Sequence, residues 1–296
     1  MNDSGTCIDS DGSAGTAKVI PLSFRDSWKP LIDIRTLLFF VVKQDLDDKV
    51  LRDALEKLIR EHLPILGTRI HVAKKTGQPE YHIPATFEKD YELFRWSSVS
   101  IESTLDEANV LKPTAVGSSI SFYPSIVELE TAWTPSGWPL DRRQAEDNCP
   151  LLLVHLTHYR DATVVATNLP HSVADQTGYA TIIESWIDLV RGRSLPPFSN
   201  ISASALDGAN MTDKEMRMGK GDFRIQTKQE VWTKLMGFIP ELVRQQKEER
   251  RILLFATSLL DKLRSDMNQQ IANDSKTVVL TNNDVLVALL LKASSR

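Results

Sequence analysis

The sequence predicts a soluble α/β protein of two domains, and three observations carry that prediction. Its 296 residues exceed the usual size of a single-core domain. Dense apolar runs suited to strands alternate with runs of helical spacing. A stretch at 196–222, opening on Pro196-Pro197 and rich in Ser, Gly and charge, breaks the pattern and serves as the best boundary.

Composition excludes several classes. With 35 Lys and Arg against 39 Asp and Glu the formal net charge is -4, so no basic surface for nucleic acid is expected. No polybasic run suggests a membrane surface, and the longest apolar runs, Leu37–Val42 and Val285–Leu291, are far shorter than the ~20 residues of a span. Met1 is followed by a polar segment, so no secretory signal is read and the expected location is cytoplasmic. Two cysteines, Cys7 and Cys149, form neither a disulfide framework nor a metal set; no metal is expected.

Residues 1–18 are small and polar and read as a disordered tail. Ile34–Val42 is dense enough in Leu, Phe and Val for a buried strand. Asp45 or Asp47 can cap the next helix, whose apolar residues Val50, Leu51, Ala54, Leu55, Leu58, Ile59 and Leu63 share one face; Pro64 ends it, with Ile65–Val72 turning into a strand. Prolines chop 76–150 into short strands and turns, with one weak helix expected around Ile101–Val110. There Trp133 and Trp138 sit on a Pro/Gly-rich loop, walling a small-molecule pocket or simply packing.

Leu151–Arg160 and Thr163–Leu169 flank the short turn at Asp161-Ala162 and read as a β-hairpin, and Tyr179–Val190 as a helix closed by Gly192. Beyond the boundary come a helix from Lys228 to Arg250 broken or kinked at Pro240, a strand at Arg251–Phe255, a helix over Leu259–Asn268, a short strand at Thr277–Leu280, and a last helix capped from Thr281-Asn-Asn-Asp284.

The candidate for chemistry is His171, in Pro170-His171-Ser-Val-Ala-Asp175 between that hairpin and that helix. His-x-x-x-Asp spacing alone is common. Its place at the end of an apolar strand, however, presents a polar side chain on a rigid support. A neutral imidazole there can take a proton from a hydroxyl or amine attacking a thioester carbonyl, or it is a histidine that only satisfies a local bond. Asp175 either orients the imidazole or braces the loop. His155 and His158, three apart in a strand, face opposite ways and cannot share a metal. Phosphate-binding Gly loops and Gly-x-Ser-x-Gly elbows are absent from the sequence.

These features resemble the BAHD acyltransferase superfamily, in particular its fungal trichothecene O-acetyltransferase-like branch. The resemblance rests on Cys149–Tyr159, Val164–Asp175, the helix ending at Arg191-Gly192, Leu63-Pro-Ile-Leu-Gly-Thr-Arg69, and Thr281–Leu290. It implies a chloramphenicol-acetyltransferase-like two-domain α/β fold, with 19–195 a complete N-terminal domain, 196–222 a crossover linker, and 223–296 the start of a truncated second domain. It implies an acyl-CoA-dependent O-acyltransferase with acetyl-CoA or another acyl-CoA as co-substrate, a small hydroxylated secondary metabolite as acceptor, and no bound cofactor. His171 would be the general base, Asp175 a structural brace paired with an Arg of the second domain, and the chain, if complete, a monomer. Three departures stand out. Gln176 replaces the usual Gly, Pro170 occupies the first position of a doubled His, and Asp222-Phe223-Arg224 does not reproduce the family's Asp-Phe-Gly-Trp-Gly segment. The alternative is a catalytically inactive member that binds a partner or ligand.

Overall fold

The computed structural model describes residues 16–22, 32, 34–111, 120–123, 125–141, 144–145, 148–198, 227–244, 250, 252–272 and 279–294. Most of the expected tail and nearly all of the expected linker lie outside them. The elements are, in order, β1 (Thr16–Pro21), β2 (Arg35–Val42), α1 (Asp48–Lys57), β3 (Ile70–Val72), β4 (Pro79–Pro84), β5 (Arg95–Ser100), β6 (Ile120–Phe122) and α2 (Ile126–Trp133). There follow β7 (Leu153–His158), β8 (Thr163–Pro170), α3 (Gln176–Val190), α4 (Lys228–Arg244), β9 (Leu253–Phe255), α5 (Thr257–Ala272) and α6 (Asn282–Ser294). The class is α/β, as expected. The chain divides into two compact units, 1–104 with 133–246, and 105–132 with 247–296.

The first unit is built on a four-stranded sheet in the order β2-β8-β7-β5. The expected hairpin forms its centre: β7 and β8 pair antiparallel from Leu153↔Asn168 to His158↔Thr163. On the other side of β8, β2 pairs antiparallel from Arg35↔Pro170 to Val42↔Thr163, and β5 runs parallel to β7 at the far edge. With neighbours on both sides and both faces covered, every residue of β8 is buried, which explains its continuous apolar run. A second sheet orders as β1-β4-β3.

One face of the main sheet carries α1 and α3. Leu55, Leu58 and Ile59 meet Tyr179, Ile182 and Trp186 over Val154, Leu156, Val165 and Leu169; each such side chain contributes about 1.5–3 kcal/mol on burial. The Trp186 indole N–H donates to the Leu51 carbonyl at 2.8 Å, locking α3 to α1. Of the two candidate caps for α1, Asp47 fills the role, accepting from the N–H groups of Lys49 and Val50. The helix winds into a π turn over Leu58–His62 and stops at Leu63, before the proline.

Three expectations are corrected. The chain after Pro64 does not start a strand: Pro64–Gly67 is a 3-10 turn closed by Thr68, whose hydroxyl and N–H both donate to the Ile65 carbonyl. The strand is only Ile70–Val72, because Leu66 is drawn into the core first. No helix forms at Ile101–Val110. Ile101 N–H donates to the His158 carbonyl and Arg160 N–H to Ser103, so the chain stays tied to β7, and turns with Asn109 at φ 58° follow. Finally, the tryptophan segment is not all loop, because α2 ends on Trp133.

In the second unit β6 pairs antiparallel with β9, a pairing that nothing in the sequence announced. The capping read at Thr281–Asp284 is present and reciprocal: the Thr281 hydroxyl accepts from Asp284 N–H while the Asp284 carboxylate accepts from Thr281 N–H. Thr227 and Glu230 repeat this at the start of α4 in the first unit. That helix continues through Pro240 to Arg244, with residues 245–249 outside those described. Its apolar face is exposed, Trp232 at 63% and Phe238 at 65%. The expected strand at Thr277–Leu280 falls partly on residues outside those described, and 279–280 are not strand. Among the described residues no helix is long and apolar enough to cross a membrane.

Candidate active site

β8 delivers His171 directly from a fully buried strand to a partly exposed turn. The turn is pinned on every side. His171 N–H donates to the Ile34 carbonyl at 3.0 Å, just ahead of β2, and Val173 N–H to the Pro170 carbonyl at 3.0 Å. The next side chain, Ser172, is buried, and its hydroxyl accepts from Tyr81 of β4 at 3.1 Å. Tyr179, in the first turns of α3, donates its hydroxyl to Thr167 at 2.6 Å. Burial of that phenol pushes its pKa well above the ordinary value, so it is a fixed donor and not a titrating group. The imidazole therefore rides on a backbone with little freedom, as a positioned proton acceptor requires.

Asp175 caps α3. Its Oδ1 accepts from Gly178 N–H at 2.8 Å, and its own carbonyl accepts from Tyr179 N–H. Among the described residues no hydrogen bond joins this carboxylate to His171, and no ion pair with an arginine is formed. Gly178 sits close under the cap: a Cβ there would lie 3.2 Å from Ala174 Cβ and 3.4 Å from the Asp175 carboxylate. Glycine is thus favoured two residues beyond the position where the family's motif has it.

Behind the turn lies a polar network that sequence reasoning missed. Arg35, opposite Pro170 in the ladder, is 7% exposed and donates from Nε to Asn168 Oδ1 and from Nη2 to the Leu151 carbonyl at 2.7 Å. Asn168, fully buried, donates in turn to the Pro139 carbonyl at 2.9 Å. Burial lowers the Arg35 pKa to about 10, which still leaves it charged at neutral pH. The one signal available was a polar Asn in an otherwise apolar or hydroxylic strand. The arrangement fixes the end of β8 from which His171 emerges.

The remaining candidates separate. His155 and His158 do lie on opposite faces of the sheet. Nδ1 of His155 is 2.8 Å from Ser97 Oγ, with Trp138 edge-on, and burial lowers its pKa. His158 is held on the helix side between Asp45 at 3.0 Å and Asp48 at 2.7 Å. Trp133 packs edge-on against Phe39 and donates to the Tyr159 hydroxyl at 3.1 Å, so the two indoles pack against the sheet. Cys149 is half-buried, and Cys7 lies outside the described residues. No group of three or more His, Cys, Asp or Glu side chains among the described residues is placed to hold a metal ion.

No family model matches the sequence. Over 287 residues the chain is 28% identical to acetyltransferase adrJ of Penicillium rubens, a match covering 91% of this chain and 56% of that protein. It is 24% identical over 302 residues to acetyltransferase BOT5 of Botryotinia fuckeliana, covering 95% and 53%. A protein named transcriptional regulator calD, from Penicillium decumbens, is 25% identical over 288 residues, covering 92% and 56%. Among solved structures, TRI101 of F. graminearum complexed with coenzyme A and deoxynivalenol is similar at a TM-score of 0.44 and 15% identity, covering 71% of this chain and 45% of that one. The chain spans about half the length of the curated relatives it matches. The sequence matches support its resemblance to the BAHD-like acyltransferases of fungi.

Proposed function

We propose that this chain supplies the general base of an acyl-CoA-dependent O-acyltransferase, an O-acetyltransferase acting on a hydroxyl of a secondary metabolite. The observation that carries the reading is the setting of His171: a part-exposed imidazole on a turn anchored through Ile34, Ser172 and the cap of α3. The relatives named acetyltransferases supply the reaction class. In the step proposed, the acceptor oxygen attacks the thioester carbonyl carbon as His171 takes its proton. The tetrahedral adduct then breaks its C–S bond, and the imidazolium returns the proton to the departing thiolate of CoA. Asp175 acts through the backbone as a brace, since its carboxylate is spent on the helix start. On the same reading 19–195 is the N-terminal acyltransferase domain, 196–222 a crossover and 223–296 part of a second domain.

The test is acetyl-CoA consumption against a panel of hydroxylated metabolites, with free CoA as the readout. General-base loss lowers rates by about 10²–10⁴-fold, so His171→Ala should fall by that amount. Equal turnover by the variant overturns the assignment. A second reading, a catalytically inactive binding protein, is favoured by one relative's name as a transcriptional regulator and by the exposed apolar face of α4. Thermal stabilisation of the purified chain by CoA counts against that reading, and the absence of any response supports it.

A further inference from the structure

At the opposite end of β8 from His171 the first unit holds a second concavity. Six residues of strand at ~3.3 Å each place Val165 roughly 20 Å from His171, so the two do not share a ligand. The cavity has a volume of about 220 Å³ between the helix-bearing face of the sheet and the C-terminal turn of α3. Phe40, Leu46, Leu51, Val165, Trp186 and Val190 form most of its wall. The only wall residue with a buried polar side-chain atom is Trp186, and its indole N–H is already given to the Leu51 carbonyl. Nothing inside can hold water by the two to four hydrogen bonds that an ordered water needs.

Polarity is confined to the mouth, where Gln44 and Arg191 stand. Arg193, two residues on, is held by Asp188 at 3.0 Å. Among the described residues no carboxylate pairs with Arg191. An enclosed apolar wall with one uncompensated cation at the entrance matches a single kind of small molecule, an aliphatic chain ending in an anion.

We infer that this cavity binds a medium-chain carboxylate, the chain inside and the carboxylate against Arg191. A cavity of about 150 Å³ holds a benzene. At roughly the 30 Å³ that a water occupies in the liquid, a methylene being of similar size, 220 Å³ accommodates about seven carbons. Octanoate is therefore the probe of matching length. The inference is independent of the catalytic reading, since it uses neither His171 nor any residue of its turn.

The experiment is calorimetric titration of the full chain with butanoate, hexanoate, octanoate, dodecanoate and 1-octanol. Each methylene buried should tighten binding about fourfold, so Kd should fall about fifteenfold per pair of carbons up to octanoate and then level off. Arg191→Gln should weaken octanoate several-fold and leave 1-octanol unchanged. Val190→Phe, at the half-buried rim, fills the mouth and should abolish binding while the circular dichroism spectrum and melting temperature stay close to wild type. Absence of saturable octanoate binding overturns the inference. So does equal octanoate binding by folded Val190→Phe, which would locate the chains on another surface such as the apolar face of α4. Equal affinity for octanoate and 1-octanol, or indifference to Arg191→Gln, overturns the anion-binding role of Arg191.

Discussion

Replacing Asn168 by Leu should be among the most damaging single changes in the chain, although it exchanges a buried amide for an apolar side chain of similar size. Asn168 accepts from the buried Arg35 guanidinium and donates to the Pro139 carbonyl. Burial pulls the Arg35 pKa down to about 10, so the interior already disfavours its charge. Losing a hydrogen bond to a charged donor costs about 1.5–3 kcal/mol, and losing the neutral one about 1 kcal/mol. An expected total of about 2.5–4 kcal/mol follows. Against a stability of about 5–15 kcal/mol this is a large loss. Arg35→Met should cost less, because removing the charge relieves its desolvation. The double variant Arg35→Met with Asn168→Leu should then be no less stable than Asn168→Leu alone, a coupling of about 1–3 kcal/mol. Urea unfolding at constant slope measures all four proteins. Strictly additive costs would show that Asn168 does not serve the buried charge.

His155 makes the acid side of the stability profile predictable. Burial holds its pKa below the ordinary 6.5, so the unfolded chain takes up a proton first as pH falls. Its contribution should be present above pH 6.5 and lost as pH falls through the folded pKa; a His155→Gln chain should show a flatter profile there in melts between pH 5 and 7.5. Asp175→Ala removes the cap of α3 and should lower stability by about 0.5–2 kcal/mol, with Asp175→Asn largely wild-type; an Ala variant with an unchanged urea midpoint would contradict the bracing role. Gly67→Ala places a Cβ 2.9 Å from Ile59, Leu93 and Phe87 at once, and such overpacking should cost about 1–3 kcal/mol in a thermal melt.

What the sequence disclosed is what short-range chemistry decides. The apolar density of β8 and the one-residue chemistry of Pro64, Asp47 and Gly192 are local, and each has the structural consequence expected of it. His171 was found because a motif and a strand end coincide. Arg35 was not singled out, because a single cation in an apolar strand acquires meaning only when β8 arrives beside it from 133 residues away. The same holds for Tyr81, whose partner Ser172 lies 91 residues on, and for the pairing of β6 with β9. The missed helix α2 was more legible: it lies between Pro124 and Pro135, with Ser125 accepting at its start. The prolines that interrupt this region also bound a helix.

The order of the main sheet also governs what happens while the chain is being made. The β7–β8 hairpin can close as soon as it is synthesised, but β2 is finished long before the strand it needs exists. At about 5–20 residues per second, the 133 residues between Arg35 and Asn168 mean a wait on the order of ten seconds. For that time Leu37–Val42 is an apolar strand without a partner, the kind of segment that recruits other chains. Ile34, whose carbonyl holds His171, arrives at its place with β2. The proposed catalytic turn is therefore assembled late on the ribosome, and changes in β2 should reduce the yield of active chain more than they reduce the stability of the chains that succeed.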